Sequence, residues 1–177
     1  TRTAWLTARM LRLDEQEVPP PETIEFWTQA GMCSDIMEQR KSGKPCNFAD
    51  AVSALPLGFR RIVDNEEIEI GNRIWKVRVG NGHAPEHATL WSNVDDIVIA
   101  GDQIISSISP NLGVYATEPN ANPVKEWIDT CHKLSAFASD KHLTLPGHKL
   151  PFTGLKFRLK QMVENHELAL NRLVNFL

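Results

Sequence analysis

Asp96-Ile97-Val98-Ile99-Ala100-Gly101-Asp102 is the stretch of sequence that most strongly constrains the fold of this chain. Its apolar run is typical of a buried β-strand, and the run ends in a carboxylate. Removing an unpaired carboxylate from water costs several kcal/mol, so Asp102 is expected to be paired or metal-bound. The alternative is that Asp102 caps the turn or helix formed by the residues that follow, which a lone Gly-Asp pair favours.

Two other segments place an imidazole after a strand-like apolar run in the same way. They are Gly82-His83-Ala84-Pro85-Glu86-His87 and Leu145-Pro146-Gly147-His148. Imidazole nitrogens and carboxylate oxygens are ligands that zinc, iron and manganese accept. His83, Asp102 and His148 are therefore candidate metal ligands, although an isolated Gly-His pair is more often a surface loop.

The order and setting of these three segments resemble the later metal-binding motifs of the metallo-β-lactamase fold hydrolases. The resemblance implies that His83 binds a first metal, Asp102 bridges two metals and His148 binds the second. It also implies that His87 orients its loop or supports the ligands by hydrogen bonding without touching the metal; the alternative is a capping or core histidine. The implied cofactors are two divalent metal ions, zinc ahead of iron or manganese.

The family pattern includes an earlier His-x-His-x-Asp-His motif that supplies most of the ligands. The first histidine of this chain is His83, so that motif is absent from it. The chain is therefore expected to be the C-terminal part of a larger hydrolase. The N-terminal half of the same domain is then its expected partner at the site.

The fold class expected from the resemblance and from the pattern of the chain is α/β, the C-terminal part of an αββα sandwich with a helical insertion on its N-terminal side. Residues 1–58 are predicted to form a mostly helical segment over the active-site face, and residues 59–177 the C-terminal half of the sandwich. Gly71-Asn72 predicts the turn of a β-hairpin, Asn122 a helix cap, and Ser34 another. The predicted helices cover residues 1–13, a segment ending at Gly31, 34–40, 122–138 and 155–177; the predicted strands cover 67–70, 73–79, 88–92, 96–100 and 143–145, and an irregular connection covers 41–57.

The large apolar side chains are expected to form the core of this α/β layer. Trp75, Trp91, Trp127 and Phe157 are assigned to it. The last helix carries a continuous apolar stripe from Leu159 to Leu177. On that stripe His166 is expected to be a packing residue, and His132, on the polar side of its own helix, is not expected to bind a metal.

The reaction implied by the resemblance is metal-dependent hydrolysis of an ester, thioester or lactone. Asp102 stands where the best-known zinc β-lactamases use cysteine, so antibiotic hydrolysis is the less expected branch. Asn111 and Tyr115 are candidate substrate-binding residues by position, although their segment is also an ordinary turn. Two alternatives stay open: an endoribonuclease-like phosphodiesterase of the same fold, and a non-catalytic binding or oligomerisation module.

Composition gives weaker guidance about partners. The formal charge of -3 and the lack of a basic face do not favour nucleic-acid binding, so a small-molecule substrate is expected. No apolar run is long enough to cross a membrane. The three cysteines form no CxxC pair, which favours reduced thiols and a cytoplasmic location. A homo-oligomer is left open.

Overall fold

Five strands and six helices make up the computed structural model of this protein, which describes residues 1–177. Contacts divide the chain into two compact units, one of Arg61–Leu112, Asn122–Leu177 and Thr1, the other of Arg2–Arg60 and Gly113–Ala121. None of the helices combines the length and hydrophobicity that a bilayer span requires. The elements are α1 (Arg2–Leu13), α2 (Pro21–Gln29), α3 (Ser34–Ser42), α4 (Phe48–Ala51), β1 (Glu67–Ile70), β2 (Arg73–Gly80), β3 (His87–Ser92), β4 (Ile97–Gly101), α5 (Pro123–Ser135), β5 (Leu143–Pro146) and α6 (Leu155–Phe176).

The strands form one sheet in the order β1-β2-β3-β4-β5. Strands β1 to β4 pair antiparallel in sequence, whereas β4 and β5 pair parallel. Strands β2, β4 and β5 therefore run in the same direction. Their carboxyl ends lie at one edge of the sheet, and each is followed by one of the three candidate metal-binding segments.

The hairpin between β1 and β2 turns at the predicted pair of residues. Gly71 and Asn72 both adopt left-handed backbone conformations, with φ of 59° and 63°. Two successive left-handed residues are what a two-residue hairpin turn of matching twist requires. The register that follows pairs Ile68 with Trp75 and confirms the predicted hairpin.

The sheet buries apolar side chains on both faces, because successive residues of a strand point to opposite sides. One face contributes Trp91, Val98 and Ala100 to a core shared with α5 and α6. The helices contribute Trp127, Cys131, Leu134, Leu155, Leu159, Met162 and Val163 to it. On the other face Trp75 and Val77 form a second, smaller cluster with Ile68. The α/β class and the burial of three of the four predicted core aromatics are confirmed.

The predicted helical character of the N-terminal segment is confirmed, with two corrections. Cys33, not Ser34, is the N-cap of α3, and no side chain caps that helix. The predicted irregular connection contains the short helix α4, which Asn47 and Asp50 stabilise through a reciprocal capping box. The turn-forming residues around it concealed this single helical turn. The placement of residues 1–58 over the active-site face stays a prediction.

The last helix differs from its predicted pattern in two respects. Phe157 is 64% exposed, because it lies about 200° around the helix from the buried Leu155. Of the apolar stripe, only the part up to Val163 belongs to the core. Leu170, Leu173, Val174 and Leu177 are exposed. Helical periodicity identified the stripe correctly, but it carries no information about how far the neighbouring elements extend.

The side chain of Arg158 ties α6 to the segment that follows β4. It is 8% exposed and lies without a carboxylate partner among backbone carbonyls. Its Nε donates to Ile105 O over 2.8 Å, its Nη2 to Ile108 O over 2.9 Å, and its Nη1 to Gln161 Oε1 over 2.6 Å. Two of these charge-assisted bonds thus fix the chain a few residues beyond Asp102, and the third stays within α6.

Replacing Arg158 by Met is expected to lower the free energy of unfolding by about 2–4 kcal/mol, because it removes charge-assisted bonds and leaves two carbonyls unpaired. Urea-induced unfolding measures the loss. Arg172→Met, at an exposed position of the same helix, is the matched control and is expected to change stability by less than about 0.5 kcal/mol. Equal effects of the two substitutions would contradict this assignment.

A second polar contact joins the segment before β1 to α5. Asp64 accepts a hydrogen bond from the Val79 amide over 2.8 Å and one from Lys133 Nζ over 2.8 Å. Burial raises the pKa of Asp64, but these bonds and the nearby positive charges outweigh it and hold that pKa below its ordinary value of 3.8. Asp64 therefore stabilises the fold above pH 3.8, and this contribution is lost as the pH falls through the folded-state pKa.

Asp64→Asn is expected to lower the free energy of unfolding at neutral pH by up to about 1 kcal/mol, since the partly exposed pair is screened by solvent. Urea-induced unfolding at about pH 7, 4 and 2 should show the difference from the parent chain disappearing toward acid. Asp96→Asn, at an exposed carboxylate without an ion pair, serves as the control. A difference that persists unchanged at acid pH is the contrary result.

Candidate metal centre

The three candidate ligands meet because the strands before them end at the same edge of the sheet. His83 follows β2, Asp102 follows β4 and His148 follows β5. A backbone hydrogen bond of 2.9 Å from Gly147 N to Gly101 O joins the last two segments. Residues 65 positions apart in sequence, from His83 to His148, are thereby gathered around Asp102.

Asp102 is the centre of this cluster. Its Oδ2 lies 3.5 Å from His83 Nε2 and also 3.5 Å from His148 Nε2. Ligand atoms about 2.0–2.2 Å from a tetrahedral zinc lie about 3.3–3.5 Å from one another. Each histidine therefore forms, with the shared carboxylate, a pair at ligand spacing. No group of three or more such side chains is placed to hold one metal ion, so each imidazole is paired only with the carboxylate.

The hydrogen bonding of His83 leaves its second ring nitrogen directed at Asp102. Its Nδ1 lies 3.0 Å from the backbone carbonyl of Asn111, which can only accept, so Nδ1 carries the proton. In the neutral ring, Nε2 then carries a lone pair that faces a carboxylate oxygen of Asp102. A lone pair and a carboxylate oxygen at this distance repel unless a proton or a metal cation lies between them, and a carbonyl-bound Nδ1 is the usual arrangement of a metal-binding imidazole.

The other carboxylate oxygen of Asp102 is enclosed by the protein. Oδ1 is buried and has no hydrogen-bond partner. A Cβ atom added at Gly147 would lie 2.5 Å from it, so only glycine leaves this space to the carboxylate. The alternative of Asp102 as a cap finds no support, because neither carboxylate oxygen forms a capping bond. Oδ2 is therefore the carboxylate oxygen that faces the two histidines.

His87 lies beside the cluster without a hydrogen bond to any of its members. A Cβ at Gly101, whose φ is 52°, would lie 2.7 Å from His87 Cε1, so the ring packs against the backbone before Asp102. Its Nδ1 is buried and unpaired. Burial, followed by repulsion from His83, lowers the pKa of His87, although Asp102 opposes the shift. The proposed loop-orienting role of His87 stays a prediction.

The two candidate substrate-binding residues are placed differently. Asn111 contacts the cluster through its backbone carbonyl, which accepts from His83. Tyr115 is 60% exposed and belongs to the unit that contains Gly113–Ala121. A contact of either side chain with substrate stays a prediction.

Two of the three remaining histidines contact neighbouring residues, and the third is exposed. His166 Nδ1 lies 2.9 Å from Met162 O, and its ring packs on Trp127 with centroids 4.9 Å apart, which confirms it as a packing residue. His132 is exposed on α5. His142 Nδ1 accepts from the Ser139 amide over 3.0 Å.

The cysteines do not contribute to the cluster. All three are free, and Cys33 and Cys46 are exposed. Burial raises the pKa of the Cys131 thiol to about 12, so this side chain stays protonated in the core. The thiol of Cys131 is therefore not available as a thiolate.

One functional candidate was missed at the sequence level. Gln103 was treated only as part of the segment after Asp102, yet its side chain is fully buried and donates to the Asn81 carbonyl. A polar residue directly followed by Ile104 and Ile105 was the available signal, because it predicts a buried amide that needs a partner.

Comparison with solved structures places the chain in a known fold. A beta-lactamase domain protein from Burkholderia ambifaria is 35% identical with a TM-score of 0.68, over 72% of this chain and 37% of that one. The chain belongs to the metallo-β-lactamase fold superfamily. A metallo-beta-lactamase family protein from Thermus thermophilus shares the fold at 21% identity and a TM-score of 0.65, over 88% of this chain and 48% of that one.

The metallo-β-lactamase fold predicted from the three segments is thus confirmed. The chain spans less than half the length of either solved relative, 37% and 48%. No protein-family model matches the chain, and no curated protein does.

Gly147→Ala is expected to displace the Asp102 carboxylate, because the new methyl group would lie on Oδ1. The free energy of unfolding should change by less than about 1 kcal/mol, since the clash falls on a side-chain atom that can rotate. Long-range proton–nitrogen spectra of the metal-free chain should show the ring signals of His83 and His148 moving. Gly58→Ala, where nothing lies within 4 Å, is the control and should move neither. Unchanged ring signals in the Gly147 variant would contradict the packing.

Proposed function

We propose that this chain carries the second part of the metal site of a hydrolase that cleaves an ester, thioester or lactone. The observation that supports this most directly is the position of Asp102 Oδ2, 3.5 Å from both His83 Nε2 and His148 Nε2. A carboxylate shared in this way suits a ligand common to two divalent metal ions, zinc ahead of iron or manganese. The metallo-β-lactamase fold is compatible with that activity.

Divalent metals held by these residues would lower the pKa of a bound water to about 7 and would polarise a carbonyl or phosphoryl group. The chain's own residues prepare the site for this chemistry. His83 holds its proton on Nδ1 against Asn111 O, which leaves Nε2 as a donor atom. Asp102 supplies negative charge at the edge of the sheet, and the absent side chain at Gly147 keeps that charge in place.

The proposed site is completed by residues outside this chain. Each half-site has two ligands here, one imidazole and the shared carboxylate, whereas a catalytic zinc usually has three protein ligands. The N-terminal half of the same domain is the proposed source of the others. The chain alone is accordingly expected to bind metal weakly and to lack hydrolase activity.

Isothermal titration calorimetry of the chain with zinc tests the ligand assignment. Asp102→Asn keeps the shape of the side chain and is expected to weaken zinc binding at least about tenfold, because it removes the ligand of both half-sites. His83→Ala and His148→Ala should each weaken one half-site. His132→Ala, an exposed histidine on α5, should leave binding within about twofold. Binding that survives Asp102→Asn unchanged would contradict the assignment.

Activity is to be measured on a protein that carries this chain together with the proposed N-terminal half of the domain. A panel of thioester, lactone and single-stranded RNA substrates separates the proposed reaction from a phosphodiesterase of the same fold. Thioester or lactone hydrolysis that Asp102→Asn abolishes is the expected result. Cleavage of RNA alone would reject the substrate class, and activity without any dependence on Asp102 would reject the site.

A further inference from the structure

The side chain of Gln103 connects the segments that carry His83 and Asp102. Gln103 follows Asp102 directly and is fully buried, at 0% exposure. Its Nε2 donates a hydrogen bond of 3.1 Å to the backbone carbonyl of Asn81, two residues before His83. The bond thus spans the gap between two ligand-bearing segments.

Asn81 fixes the segment of His83 from three directions. Its amide donates to Thr130 Oγ1 on α5 over 3.0 Å, and its side-chain Oδ1 accepts from the Glu86 amide over 2.8 Å. Its carbonyl accepts from Gln103. Of these three bonds, only the one from Gln103 originates in the segment of Asp102, so it alone relates the two ligands directly.

The backbone of Gln103 is itself held in place. Its carbonyl accepts a hydrogen bond of 3.1 Å from Trp127 Nε1, and its amide donates to Ala100 O over 3.2 Å. Trp127 is fully buried in the core. Gln103 therefore links the Trp127 side chain in the core to the Asn81 carbonyl.

Close packing restricts the position of the backbone at the end of β2. A Cβ at Gly80 would lie 2.9 Å from Gln103 Nε2 and 2.5 Å from Thr130 Cγ2. At Gly82 it would lie 2.4 Å from Trp127 Cβ. The backbone before His83 consequently rests directly on Gln103 and α5, and a change in the shape or bonding of Gln103 is felt by that backbone.

The Gln103 side chain has opposing effects on fold stability, because its Nε2 satisfies the Asn81 carbonyl whereas its other polar atom has no partner. Its Oε1 is buried and has no hydrogen-bond partner. An unpaired buried carbonyl destabilises a protein, whereas methionine has a similar length and brings no such atom. The feature that glutamine supplies and methionine lacks is the bond to Asn81.

We propose that Gln103 is a positioning residue that holds the His83 segment against Asp102, so that the imidazole and the carboxylate keep their ligand spacing. This inference rests on the proposed metal-binding function. Gln103 would then influence metal affinity without touching a metal, through the position of the His83 segment. Residues that orient ligands in this way typically change metal affinity by about 10- to 100-fold when they are replaced.

Gln103→Met in the full chain tests the inference with two measurements. Hydrogen exchange of the metal-free protein should be at least about tenfold faster at the Asn81 and Glu86 amides, because their segment has lost its bond to Gln103. Zinc titration should show affinity reduced by about tenfold or more. Unfolding by urea should remain cooperative, with a midpoint near that of the parent chain.

Leu134→Ala is the matched control, since it removes a fully buried core side chain of α5 away from the ligands. It should lower the urea midpoint more than Gln103→Met does, yet leave zinc affinity within about twofold in native buffer. If both variants lose affinity in proportion to their stability, the role of Gln103 is only structural and the inference is overturned.

The two proposals fail in distinguishable ways. If the parent chain binds no zinc, the metal-binding function is contradicted, while the exchange rates at Asn81 and Glu86 still decide the inference. Faster exchange in Gln103→Met then supports positioning by Gln103. Exchange equal to that of the parent chain overturns it, whatever the zinc titration shows.

Discussion

The rest of the structure depends on one electrostatic constraint, the carboxylate of Asp102 at the end of the buried strand β4. Its Oδ1 is buried without a partner, and its Oδ2 faces two imidazole nitrogens at 3.5 Å. A carboxylate in such surroundings is unfavourable unless positive charge compensates it. The surrounding residues do not relieve it through hydrogen bonds. They leave Oδ2 facing the two imidazole nitrogens, an arrangement that a divalent metal would stabilise.

Parts of the structure at increasing distances from Asp102 hold its carboxylate and the two imidazoles in place. The common direction of β2, β4 and β5 brings three segments to one edge of the sheet. Within that edge Gly147 leaves room for the carboxylate, and Asn111 fixes the ring of His83. Farther out, Arg158 anchors the chain beyond Asp102 through backbone carbonyls. The contacts that hold the candidate ligands therefore extend from Asp102 outward to α6.

Features that depend on residues close in sequence were predictable, and features that depend on distant neighbours were not. The strand before Asp102, the turn at Gly71 and Asn72, and the Asn122 cap of α5 follow from local patterns, and the structure has them. The bonds from Gln103 to Asn81 and from His83 to Asn111 join residues 22 and 28 positions apart, which no local pattern encodes. The exposure of the last turns of α6 likewise depends on where neighbouring elements end, whereas that of Phe157 follows from helix geometry. The order of the three ligands was therefore readable from the sequence, whereas the packing that sets their spacing was not.

The central claim is that Asp102 is the ligand common to two metal positions. Anomalous diffraction at the zinc absorption edge, from crystals of the chain grown with zinc, measures this most directly. The account predicts anomalous density on both sides of the Asp102 carboxylate, one position beside His83 Nε2 and the other beside His148 Nε2. Zinc bound elsewhere, with no density within bonding distance of Asp102, would contradict it.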